Sequence, residues 1–205
     1  MKIIYGTGNK EKKNQVETFL RVSNLKNIEL LSLKDIGFDE DIDENGTTFE
    51  ENSMIKAKTI KKYCDRNNIH EIILTDDAGL CVDSLNGAPG VYSARYAGDH
   101  APQEIVLKKL LGNIKAVNDT KRTATFVCVL TALLPNGKTI VVRGETKGKI
   151  AEKPGTMGKL TYGPVFIPDG FDCVMNDLKD EDLGITHREK ALIKLIEKLK
   201  ENGVE

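Results

Sequence analysis

Two adjacent carboxylates, Asp76 and Asp77, follow the apolar run EIILT and precede Ala78 and Gly79. Neighbouring acids repel unless positive charge offsets them, and a hard divalent cation is one group that does so. The run predicts a strand that ends on the acids, which places them where open α/β sheets bind ligands. The plainer alternative is a turn cap, since Asp is common in turns. Glu44 stands in the polar segment DIDENGTTFEEN, ahead of a helix that carries Lys56; taken alone, such an acid is simply solvated. In TGNKEKK, Thr7, Gly8 and Asn9 end a first strand and Lys12 falls in the first turn of the next helix. Asn9 is the candidate N-cap, and backbone N–H groups with the helix dipole favour an anion there. The P-loop spelling GxxxxGK[ST] is absent, so the anion site is of another kind or an ordinary cap.

A fourth cluster opens the last helix. Thr186 and Glu189 read as a capping box, yet His187 and Arg188 fill the first turn, where the dipole disfavours cations by about 0.3–1 kcal/mol each. Either Arg188 makes a surface ion pair or both residues face a ligand. Lysines for phosphates, carboxylates for Mg²⁺ and a strand-to-helix turn for an anion together describe hydrolysis or transfer on a nucleoside polyphosphate.

The elements that would position these groups alternate in type. KIIYG, NIELLSL and EIILT read as strands, while KEKKNQVETFLRVS carries Val16, Phe19 and Leu20 at helical spacing. Thr48 and Glu51 form a capping-box signature for a helix bearing Ile60, Tyr63 and Cys64. PQEIVLKKLLGN reads as a helix opened by Pro102, and TATFVCVLTALL, PNGK and TIVVRGE as a hairpin. The last helix places Ala191, Leu192, Leu195, Ile196 and Leu199 on one face and closes at Gly203. The expected class is α/β with a mixed sheet.

Composition narrows the partners. The 205 residues hold 30 basic and 31 acidic side chains, so no uniform positive field for nucleic acid is expected. Cys64, Cys81, Cys128 and Cys173 show no CxxC pair or metal spacing and read as reduced core residues. The N-terminal apolar run is too short for a signal peptide, and no run of about 18 apolar residues is present to span a bilayer. The expectation is a cytoplasmic protein with no membrane partner, one domain over 1–205.

The blocks TGNKEKKNQV, DENGTTFEENSMIKAKT, LTDDAGLCVDSLNGAPGVYSARYAG and ITHREKAL resemble, in order and spacing from residue 3 to about 196, the inosine/xanthosine triphosphate pyrophosphatase (Ham1-like) family. The resemblance implies a two-lobed α/β fold with a long central mixed sheet flanked by helices, an active-site cleft between the lobes, and a homodimer. It implies Mg²⁺-dependent hydrolysis of deaminated or nonstandard purine nucleoside triphosphates, with one or more Mg²⁺ per subunit and Mn²⁺ as a substitute. Carried over by position, Thr7, Gly8, Asn9, Lys10, Glu11, Lys12 and Lys56 meet the triphosphate. Glu44 and Asp77 hold the metal, Asp77 accepts the proton of the attacking water, and Asp76 supports it. Ala78, Leu160, Thr161, Tyr162, Gly163, His187 and Arg188 line the rest of the substrate site. Ser93 and Arg95 match a block whose role is in the cleft or at the dimer interface.

The base side departs from the family spelling. Leu160 replaces an aromatic ring and Gly163 an Asp, and Asp182 stands where a Lys is usual, with Lys179 the alternative source of that charge. Losing a stacking ring is worth about 1–3 kcal/mol per base in nucleic-acid binders. Two alternative readings therefore stand: a pyrophosphatase with a shifted base preference, such as for a modified pyrimidine, or a catalytically weak nucleotide-binding protein.

Overall fold

A computed structural model describes residues 1–23, 28–158, 160–179 and 186–204. Strand β1 (Lys2–Tyr5) buries Ile3, Ile4 and Tyr5 almost completely, as a strand covered on both faces must. It pairs in parallel with β2 (Glu29–Ser32) and β3 (Ile72–Val82), Tyr5 lying opposite Ser32 on one side and Leu74 on the other. Parallel neighbours require crossovers. Helix α1 (Lys10–Val22) stands between β1 and β2 in the chain, and α2 (Phe49–Arg66) between β2 and β3. The remaining strands are β4 (Thr123–Leu133), β5 (Thr139–Ile150) and β6 (Phe166–Pro168), the last antiparallel to β5. The sheet order is β2-β1-β3-β4-β5-β6, with α3 (Gln103–Asn113) and α4 (His187–Glu201) completing the helices. The sheet is mixed, as expected.

Local signals act where the sequence places them. The Thr48 hydroxyl accepts from the Glu51 N–H at 3.1 Å, and the Glu51 carboxylate accepts from the Thr48 N–H at 3.2 Å, closing the capping box. The Asn136-Gly137 turn joins β4 to β5, with Gly137 at φ +84°. Helix α4 buries Ala191, Leu192, Leu195, Ile196 and Leu199. It ends in a Schellman motif: the Gly203 N–H donates to the Lys200 carbonyl, the Val204 N–H to that of Leu199, and Gly203 has φ +76°.

One expectation fails in an instructive way. The third strand does not end on Asp76 and Asp77 but continues to Val82, so both acids sit inside an 11-residue strand. GLCV carries β3 onward because Leu80 and Val82 are fully buried. The paired acids interrupt the apolar run without breaking the ladder.

The chain divides into two compact units. The first comprises Met1–Asp77, Cys128–Gly144 and Arg188–Glu205. Ile4, Phe38, Ile60, Cys64 and Ile73 form one of its cores. The second comprises Ala78–Val127 and Glu145–His187, with Leu80, Leu107, Leu110, Phe126, Phe166 and Met175 in its core. There the buried Arg122 donates to the carbonyls of Ile114, Ile150 and Ala151. Cys64 and Cys128 are core thiols as expected, but Cys81 is half-buried and Cys173 exposed. Among the described residues no helix is long and apolar enough to cross a membrane.

Candidate functional site

Successive side chains of a strand point to opposite faces, and this alternation separates the two acids. Asp76 is 2% exposed. One of its oxygens accepts from the Tyr5 hydroxyl at 2.9 Å; the other takes Lys12 at 2.9 Å and Arg188 at 3.2 Å. Burial pushes the carboxyl upward, but Lys12, Arg188 and Lys56 outweigh it and hold Asp76 well below the usual carboxylate range. Burial next to Asp76 raises the Tyr5 phenol well above its ordinary value.

Asp77 faces α2. The Asn52 side chain donates to it at 3.1 Å, and the Lys56 ammonium lies 3.8 Å from its other oxygen. Lys56 also donates to Glu44 at 2.5 Å, so one nitrogen reaches both carboxylates. The family resemblance implies these two acids around a cation; here the protein's own ammonium lies between them. Burial raises the Asp77 pKa, Lys56 and Asn52 oppose that shift, and Glu44 and Asp76 add to it. The two acids are thus tuned in opposite directions.

Asn52 also accepts from the Gly46 N–H at 2.8 Å, tying the segment after Glu44 to Asp77. A Cβ on Gly46 would stand 2.7 Å from that same Asn52 oxygen, so Gly46 is required by the close approach. On the same side of β3, Ser53 bonds Thr75 and Thr131 in a buried hydroxyl cluster. Asn52, Tyr5 and Gln15, which accepts from Arg188 at 3.0 Å, are site residues that sequence reasoning missed. The one signal Asn52 carried was its position one helical turn before Lys56; its burial is a finding of the structure.

The first-strand turn behaves as read. Asn9 caps α1, its side chain accepting from the Lys12 N–H at 3.2 Å, and the Thr7 hydroxyl accepts from the Asn9 N–H at 3.2 Å. Gly8 has open space around its missing side chain. Arg188 is neither a surface ion pair nor a solvated residue: it is buried against Asp76, which explains a cation in a helix's first turn. The side chains of Lys10 and Glu11, and Asp182, lie outside the described residues.

In the second unit the ring of His187 stacks on Phe126, 5.0 Å between centroids and 12° between planes. Tyr162 is buried, and its hydroxyl donates to the Ser93 carbonyl at 2.7 Å. Burial first of all, with nearby Tyr96, raises its phenol above the ordinary value. Ser93 also takes the Leu80 N–H of β3, so its place in the GAPGVYSARYAG block is structural. The Gln103 side chain holds the carbonyls of Leu160 and Thr161 at 2.9 and 3.1 Å. Gly163 is buried and Lys179 exposed.

Among the described residues no three His, Cys, Asp or Glu side chains gather as a metal cage. Glu44 and Asp77 nevertheless fit Mg²⁺, which takes one or two protein carboxylates and completes its shell with water and substrate phosphates. Both already converge on a single positive charge.

Fold and site define an α/β protein that brings lysines, an arginine and two oppositely tuned acids to one strand. The chain belongs to the Ham1 family, whose model matches residues 3–198. Proteins named dITP/XTP pyrophosphatase from Clostridium perfringens and Bacillus subtilis are 40% and 38% identical to it, covering 97% and 88% of this chain and 97% and 89% of theirs. Solved structures of the Staphylococcus aureus Ham1 protein and a HAM1 protein from Coxiella burnetii superpose with TM-scores of 0.84 and 0.85 at 32% and 31% identity. Each alignment covers 98% of this chain, with 100% and 99% of the other.

Proposed function

We propose that this protein is a nucleoside triphosphate pyrophosphatase that hydrolyses nonstandard purine nucleotides of the dITP and XTP type to the monophosphate and pyrophosphate. The observation that carries it is the opposite tuning of Asp76 and Asp77 on one strand, in a chain whose relatives bear that activity in their names. Water attacks the α-phosphorus, a new P–O bond forms, and the bond from that phosphorus to the bridging oxygen breaks, leaving pyrophosphate with the electron pair. Asp77 takes the proton from the water. Lys12 and Lys56, with the capped turn Thr7–Asn9, meet the triphosphate charge. Asp76 stays ionised and fixes Lys12 and Arg188.

Glu44 and Asp77 would hold Mg²⁺, which when bound neutralises phosphate charge and lowers the pKa of coordinated water. Lys56, which otherwise bridges the two acids, would then be available to the phosphates. We place the protein in the cytoplasm as a homodimer. The test is pyrophosphate release at about pH 9 with Mg²⁺ across dITP, ITP, XTP, the standard triphosphates and dUTP, with Asp77→Asn alongside. ITP and XTP should lead by tenfold or more, about 1.4 kcal/mol of discrimination, and Asp77→Asn should lose about 10²–10⁴-fold in turnover. A lead by a pyrimidine nucleotide would move the assignment to a shifted base preference. Tight binding without turnover would return the chain to a binding protein.

A further inference from the structure

Lys56 is buried on α2, and two neighbours on that helix hold its base in place within the first unit. Ser53 is tied to the strands beneath it: its hydroxyl donates to that of Thr131 at 2.8 Å, and the Thr75 hydroxyl donates to its carbonyl at 2.7 Å. Asn52 donates to one oxygen of Asp77 at 3.1 Å and accepts from the Gly46 N–H at 2.8 Å. Turning that amide over would set its oxygen against the Asp77 carboxylate and its NH₂ against the Gly46 N–H, so its orientation is fixed. Asn52 thereby draws the segment that carries Glu44 toward Asp77. The Lys56 ammonium lies where the two acids meet, 2.5 Å from Glu44 and 3.8 Å from the Asp77 oxygen that Asn52 does not hold.

An ammonium fixed between two carboxylates stands in for a bound cation. Without it the acids would repel each other; with it, a divalent ion that enters between the same oxygens meets a positive charge at close range. Free Mg²⁺ offers Lys56 nothing in exchange for its two acids, and a buried charge stripped of its partner is costly. A polyphosphate does offer an exchange, because it brings anionic oxygens to the unit that holds Lys12 and the capped turn Thr7–Asn9. Once the phosphates take the ammonium, the acids are released to the ion.

We infer that Lys56 is a built-in competitor for the metal position: it keeps free divalent ions off Glu44 and Asp77, so that metal and polyphosphate bind together. This rests on the reading of Glu44 and Asp77 as metal holders in the proposed function. The coupling is reciprocal, each ligand strengthening the other through the same ammonium.

The first test follows Mn²⁺ binding by electron paramagnetic resonance, with no nucleotide present, in the wild type, Lys56→Met, Lys56→Arg, and Lys56→Met combined with Glu44→Gln. Met keeps the length of the apolar stem and removes the charge. Lys56→Met should bind Mn²⁺ about tenfold or more tightly than wild type, within the range usual for coupled sites. Lys56→Arg should stay near wild type, and adding Glu44→Gln should cancel the gain. The second test needs no change at Lys56. Wild type should bind inorganic tripolyphosphate about tenfold more tightly with Mg²⁺ than with EDTA, and Glu44→Gln should lose that preference. No gain of Mn²⁺ affinity in Lys56→Met, a gain that survives Glu44→Gln, or equal wild-type affinity for tripolyphosphate with and without Mg²⁺ overturns the inference and leaves the hydrolase reading intact. That reading is judged by pyrophosphate release: a wild type that hydrolyses no nucleotide overturns it, while the Mn²⁺ titration still decides whether Lys56 competes with the ion.

Discussion

The acids of β3 and the 156–176 segment of the second unit are both polar, but they are built in opposite ways. Around Asp76 and Asp77 charge offsets charge: Lys12 and Arg188 converge on one acid, Lys56 and Asn52 on the other. In the 156–176 segment two glycines, Gly158 and Gly163, leave room so that one neutral amide, that of Asn176, fits. In the first arrangement the buried Asp76 depends on both of its cations, whereas Asp77 is held less tightly. The second is open to change, because moving a neutral amide costs far less than unpairing a buried ion.

The sharpest break in that comparison is at Asp76. Asp76→Leu leaves Arg188 buried with its ion-pair partner gone, and we expect a loss of about 3–5 kcal/mol in urea unfolding. Asp77→Asn should be at least as stable as wild type near pH 7. Its carboxyl has a raised pKa, so ionised Asp77 detracts from stability there, and Asn can still accept from Asn52. Equal losses in both variants would erase the distinction between the acids. The sign at Asp76 also sets a pH window. Its folded pKa is lowered, so its contribution is present above the ordinary value of 3.8 and fades as pH falls below it. The deficit of an Asp76→Asn variant should therefore shrink in strong acid.

Tyr5→Phe sharpens the same side. The phenol is fully buried and donates to Asp76, and hydrogen bonds to charged groups are worth about 1.5–3 kcal/mol. A loss of that order is expected in thermal or urea unfolding, with the pyrophosphatase substrate ranking unchanged. A changed ranking would mean that the Asp76 side also reads the base.

These contrasts explain what the sequence disclosed. Elements with strong local signals were legible: the Thr48–Glu51 capping box, the Asn9 cap and the apolar face of α4 all stand where their spelling puts them. So were charges, because Asp76, Asp77, Lys12, Lys56 and Glu44 are too costly to gather without a reason. The extension of β3 past the acids was not legible, since a strand with buried carboxylates depends on cations delivered from α1, α2 and α4. Tyr5, and the partner of Arg188, were hidden for the same reason: Asp76 is 71 residues from the one and 112 from the other. Asn176 left no signal, because Gly158 and Gly163 look like ordinary loop glycines until the amide beside them is seen.

The smallest expected effect comes from a group outside both arrangements. Cys128 lies on β4 in the first unit, fully buried, and burial pushes its thiol up to about 12 from an ordinary 9.0. A raised folded pKa contributes stability that is complete below pH 9.0 and is lost as pH climbs toward 12, at about 1.4 kcal/mol per pH unit for each proton. Cys128→Ala removes that proton. Its unfolding free energy should start slightly lower at pH 7, from the lost packing, and fall less steeply than wild type between pH 9 and 10, where the tyrosines contribute equally to both proteins. Parallel slopes for the two proteins in that interval would mean that the thiolate is accommodated inside the fold. In that case the positive charges around Asp76 reach across to Cys128, and the cluster is broader than its hydrogen bonds.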